Sequence, residues 1–158
     1  MNIKEFMDLF ELKNIKTVKG WLENGFIIGA IKDENGVWNI PDLARPPYTK
    51  ARAKNTISIY SSIVEACIHR KSVCAKLYKI NENEFKEYIL NLQKEGFISI
   101  KVVDDIEYYF ATTKSEMYLN NKEGLKKHLK SIYQTTLEAV VQGVTKTVIE
   151  HVQKSMIG

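Results

Sequence analysis

Lys16–Pro41 reads KTVKGWLENGFIIGAIKDENGVWNIP, and this run decides how the first third of the chain folds. Val18, Trp21 and Leu22 recur at helical spacing on one face, and Lys16, Thr17, Lys19 and Glu23 fall on the other, so the spacing predicts a helix over 16–24. Gly25 follows the last periodic residue, where a left-handed stop belongs. Phe26–Ile31 is apolar and β-branched enough for a strand, and Val37–Ile40 can return as its partner, with Trp38 available to cover the helix. Asn35-Gly36 between them is a hairpin signal, expected as a turn with positive φ at both central residues.

Working outward, Ile3–Phe10 supplies a short first helix, and Trp38-x-Ile40-Pro41 closes the hairpin. A short helix, a turn, Thr17-Val18 then Trp21, Glu23-x-Gly25 and this exit occur in the order found in a known family. Ile3–Ala44 resembles the excisionase-type winged helix, a compact relative of the MerR DNA-binding domain. The resemblance implies a recognition helix in the major groove of double-stranded DNA and a hairpin wing beside the backbone. By position, Lys16, Thr17, Lys19 and Gly20 would face DNA, with Lys32 at the base of the wing. The wing tip, Asp33-Glu34-Asn35-Gly36, departs from a phosphate-gripping loop, because its carboxylates repel phosphate.

Arg45–Lys54, RPPYTKARAK, holds Arg45, Lys50, Arg52 and Lys54 and no acid. Pro46-Pro47 ends any preceding helix and stiffens the exit. The stretch reads as a linker that either follows the phosphate backbone, releasing counterions, or is simply solvated.

A second unit begins near Ile57. Ile57–His69 is a helix buried on a broad face, Ser72 can cap a short helix over Val73–Tyr78, and Asn81 precedes a helix that buries Phe85, Ile89 and Leu92 and stops at Gly96. Phe97–Val103 and Ile106–Ala111 read as strands around Asp104-Asp105, with Tyr108 and Tyr109 alternating so that one face is core. LNLQKEGFI followed by a hairpin and Ala111-Thr112-Thr113 is similar to MarR- and PadR-like regulators, over Ser58 to about Leu119. Two readings of this unit compete. Arg70, Lys71, Ser72 and Lys76 could form a second DNA surface, or the acids Glu82, Glu84, Glu87, Asp104 and Asp105 could give the unit to a protein partner.

From Lys122 to Met156 there is no proline, and apolar residues recur every three or four positions. The stripe includes Leu129, Ile132, Tyr133, Leu137, Val140, Val141, Val144, Val148 and Val152. A helix of about 35 residues runs ~50 Å, longer than so small a domain covers, so another copy of the chain is expected to complete it. The alternative is a helix folded back on its own domain.

The chain has 158 residues, 44% hydrophobic, with a net charge of +4. That is compatible with nucleic acid without being diagnostic. No apolar run is long enough for a membrane span, and Met1–Glu5 has no signal-peptide pattern. Cys67 and Cys74 lie in apolar helical contexts, as expected of free thiols in a reducing cytoplasm. His69, His128 and His151 lie far apart, and there is no P-loop, dinucleotide fingerprint or metalloprotease motif. A non-enzyme without metal or cofactor is expected.

The expected architecture is mainly α with small β-hairpin wings (α+β). A winged helix over 1–47, a basic linker over 48–56, a second winged helix over 57–120 and an oligomerisation helix over 121–158 make up the chain. The expected function is sequence-specific DNA binding as an oligomer, as a regulator or recombination factor of a mobile element or phage. A plasmid replication or partition protein, or a protein-interaction adaptor, are the alternatives.

Overall fold

The computed structural model describes residues 1–50 and 55–133. The fold is α+β, with two small antiparallel hairpins set among helices.

The N-terminal unit starts with α1 (Ile3–Leu9). Asn2 caps it by accepting from the Glu5 amide, and the Glu5 side chain accepts in return from the Asn2 amide, a reciprocal capping box. The chain reverses through Glu11, at φ 55°, into α2 (Ile15–Glu23), capped by Asn14. Alternation of burial along α2 follows the 3.6-residue period: Val18 and Leu22 are buried, and Lys16, Thr17 and Lys19 are exposed. Gly25 takes φ 74° and donates to the Leu22 carbonyl, as the sequence requires of a helix stop.

The first hairpin is shorter than its sequence suggests. β1 is Ile31–Lys32 alone and pairs with β2 (Trp38–Asn39). Residues 26–30 turn instead, because Ile27 is drawn into the core beside Phe6, Val18, Leu22, Ile40 and Ala44. The expected turn is also corrected: only Gly36 has positive φ. Asp33 replaces the second left-handed residue. Its Oδ1 accepts from the amides of Asn35 (2.8 Å) and Val37 (2.9 Å), and its carbonyl accepts from Gly36.

The second unit is built around α3 (Thr56–Ile68), in which every residue from Ile59 to Cys67 is buried. A helix enclosed on all sides must satisfy its polar groups internally. Ser62 hydrogen-bonds the Tyr78 hydroxyl at 2.8 Å, and Glu65 accepts from the Tyr48 hydroxyl at 3.3 Å. α4 (Ala75–Tyr78) follows Cys74, not Ser72, and has no side-chain cap. α5 (Glu82–Lys94) is capped by Asn81, whose Oδ1 accepts from the Glu84 amide at 2.7 Å. β3 (Ile98–Val103) and β4 (Ile106–Ala111) pair in register from Ile98↔Ala111 to Val103↔Ile106. Asp104 and Asp105 both take positive φ, the primed two-residue turn that matches strand twist. α6 (Thr113–Glu116) is capped by Thr112.

α7 begins at 122 and runs through 133, the end of the described residues. Leu125 and Leu129 are wholly buried in the core of this same unit, Tyr133 stacks on Tyr60 at 3.8 Å between centroids, and Ile132 packs beside them. Leu129 and Tyr133, expected at an oligomer interface, are therefore core residues of one chain, and the half-buried Ile132 packs against that core. Leu137, Val140, Val141, Val144, Val148 and Val152 lie outside the described residues.

Candidate nucleic-acid interface

α2 and the first hairpin present the polar surface that the sequence singles out. Asn14 Oδ1 accepts from the Thr17 amide at 3.2 Å, which fixes the first turn of α2 and leaves the Thr17 side chain exposed. Lys16 and Lys19 are exposed on the same element. Gly20 is half-buried, with open space where a Cβ would project.

Lys32 is not a free cation. Its Nζ bonds Glu23 Oε1 at 3.1 Å and lies over the Trp38 ring, 5.6 Å from its centroid. It ties the hairpin to the end of α2. Asp33 and Glu34 are both exposed in this loop, and Asp33 Oδ1 accepts from backbone amides. Between α1, α2 and the hairpin runs a groove of about 800 Å³. Ile3, Met7, Leu12 and Trp38 line it together with Lys19 and Lys32.

The basic stretch after the hairpin divides into parts that sequence alone does not separate. Arg45 lies over the Phe110 ring, 4.3 Å from the centroid, and its backbone carbonyl accepts from Ser72 Oγ at 3.1 Å. Burial lowers its pKa from the ordinary value. Pro46, Pro47 and Tyr48 are buried too: Pro47 bridges Ser72 in parallel, and the Tyr48 amide donates to the Ser72 carbonyl at 2.9 Å. Residues 45–48 are thus an anchored junction rather than a solvated linker, and Arg45 serves packing between the two units. Lys50 is exposed; Arg52 and Lys54 lie outside the described residues.

The candidate second surface scatters in the same way. Arg70 is exposed in a left-handed conformation (φ 56°) just past α3. Lys71 is half-buried, and Ser72 belongs to the junction. Lys76 Nζ lies 3.1 Å from where a Cβ on Gly25 would project, a cation placed at the C-terminal end of α2. Gly29 takes φ 81°, and a Cβ there would meet Ile106 at 2.6 Å and Pro41 at 2.8 Å. The two units therefore meet at the face of β4 that carries Tyr108, while Tyr109 packs on the helical core. Both faces of β4 are covered, not one.

Burial pushes the Cys67 thiol up to about 12, and Cys74 is also free. His128 Nδ1 hydrogen-bonds the Tyr118 hydroxyl, and its ring meets the edge of Phe97. Among the described residues, no three His, Cys, Asp or Glu side chains gather closely enough to hold a metal ion, and no helix is long and apolar enough to cross a membrane. No protein-family model matches the chain, and no curated protein matches it.

Proposed function

We propose that this chain binds double-stranded DNA through a winged helix at its N-terminus, with α2 as the recognition helix and the first hairpin as its wing. The observation that carries this reading is the exposure of Lys16, Thr17 and Lys19 on one capped, rigidly seated helix. Such a helix offers donors to base edges and phosphates without unfolding anything. The second unit also sets a hairpin after its helices, three of them where the N-terminal unit has two, but the helix that precedes that hairpin, α5, exposes Glu82, Glu84 and Glu87. It is a scaffold rather than a second groove reader, or it holds a protein partner. Assembly of two or more copies on DNA, in a regulator or recombination factor of a mobile element, completes the proposal. One short helix reads few base pairs, and paired half-sites add specificity.

The experiment is selection of bound sequences from random duplexes at near-physiological salt. An enriched motif is expected, and Lys16→Ala with Lys19→Ala should weaken its binding by about 1–3 kcal/mol for each base edge that is no longer hydrogen-bonded. An unenriched pool would remove sequence-specific recognition from the proposal.

A further inference from the structure

Among the described residues, the net positive charge lies outside the unit that carries the proposed recognition helix. Residues 1–50 carry seven basic and seven acidic side chains, and residues 55–121 carry eight and nine. Residues 122–133 carry four lysines, Lys122, Lys126, Lys127 and Lys130, against the single acid Glu123.

The fold determines how these lysines are presented. Leu125 and Leu129 are 0% exposed and Tyr133 is 7% exposed, so the inner face of α7 is locked onto the core. Lys126, Lys127 and Lys130 are therefore held outward and are exposed. Lys122 is 3.7 Å from Glu65 Oε1. Among the described residues, none of the other three lies within 4 Å of a carboxylate. Lys122 and Lys130 are two turns apart, about 12 Å along the axis.

We propose that the outer face of α7 is a second contact surface for double-stranded DNA, gripping its phosphate backbone through Lys126, Lys127 and Lys130. This rests on the DNA-binding reading above and adds a distinct surface to it. The chemistry favours a nucleic-acid backbone over other polyanions. An interfacial membrane helix needs an apolar face to insert, and α7 has already spent its apolar face on the core. Protein interfaces are built around aromatic and apolar anchors and are depleted in lysine, whereas ammonium groups repeated along a rigid helix suit evenly spaced phosphates.

The test uses the full-length chain, a fluorescent mixed-sequence 40-base-pair duplex, and anisotropy titrations over a range of salt. The variant is Lys126→Gln with Lys127→Gln and Lys130→Gln; glutamine keeps helix propensity, and circular dichroism checks the fold. The slope of log affinity against log salt should become shallower by about 0.9 for each phosphate no longer neutralised, so by about 2.7 for all three. An unchanged slope, with binding abolished in the Lys16→Ala, Lys19→Ala variant, overturns this proposal and leaves the recognition helix standing. The converse pattern supports α7 and removes α2. A wild-type chain that binds no duplex even at low salt overturns both. Three lysines that matter only for binding vesicles of phosphatidylserine and phosphatidylcholine, not for duplex DNA, would overturn the proposal and reassign the face to a membrane.

Discussion

Gly20 stands in the middle of α2 with nothing within 4 Å of where its Cβ would be. Glycine inside a helix costs about 0.5–1 kcal/mol relative to alanine, and the packing gives no reason for it here. Gly20→Ala should therefore raise stability by about that amount in urea titrations. It should also weaken DNA binding if the bare backbone at this point is where the duplex approaches; unchanged affinity would place the duplex on another face. Gly29 is the opposite case. Its positive φ and the crowding from Ile106 and Pro41 both forbid a side chain. Gly29→Ala should lower stability by roughly 1–3 kcal/mol, read as a shifted urea midpoint.

Among the elements, α7 and the two hairpins show where a sequence pattern stops being sufficient. Asp104-Asp105 and Asn35-Gly36 are both polar two-residue breaks between apolar runs. One forms the primed turn and the other does not, because Asp33 at the start of the first loop can satisfy the Asn35 and Val37 amides itself. Asp33→Ala should loosen that hairpin and cost about 1 kcal/mol, with the loosening visible as faster amide exchange at Val37. For α7, the period is plain in the sequence but the identity of the surface covering it is not. Leu129→Ala should destabilise the second unit by about 2–5 kcal/mol. A mild effect, with loss of self-association, would instead mean that Leu129 faces another copy.

For the whole molecule, the tyrosines set an alkaline limit. Burial, reinforced by the Glu65 carboxylate, pushes the Tyr48 hydroxyl up to about 12. Burial also raises Tyr60, Tyr78, Tyr88, Tyr108, Tyr109 and Tyr133. Each folded value lies above the ordinary value near 10. Their contribution is whole below about pH 10 and is lost as pH rises through the folded values, because the unfolded chain gives up its protons first. The urea midpoint should fall between about pH 10 and 12, and the fall should be shallower in Tyr48→Phe; a midpoint constant to pH 12 would contradict this burial. Assembly is tested at the same scale. Removing everything after Asn121 would strip Leu125, Leu129 and Tyr133 from the core, so the informative truncation ends at Tyr133. That chain should remain folded and sediment as a monomer if the apolar stripe beyond it joins copies together.

The sequence by itself determined much of the local structure: the helix cap at Asn81, the stops at Gly25 and Gly96, and the long strands flanking Asp104-Asp105. Each depends on a few neighbouring residues whose backbone preferences and spacing are legible without the rest of the chain. Only the tertiary structure decided what Arg45, Ser72, Lys32 and the α7 leucines are for. A cation in a basic stretch reads as solvent-facing until its partner is known, and the partners here lie on other elements: Phe110 of β4 for Arg45, and Glu23 at the end of α2 for Lys32. An apolar stripe specifies that something must cover it, but not whether the cover belongs to the same molecule. For residues 122–133 the cover comes from the same chain, with Tyr60 of α3, Asn91 of α5, Phe97 and Tyr118 against them, and that placement turns the lysines of α7 toward solvent.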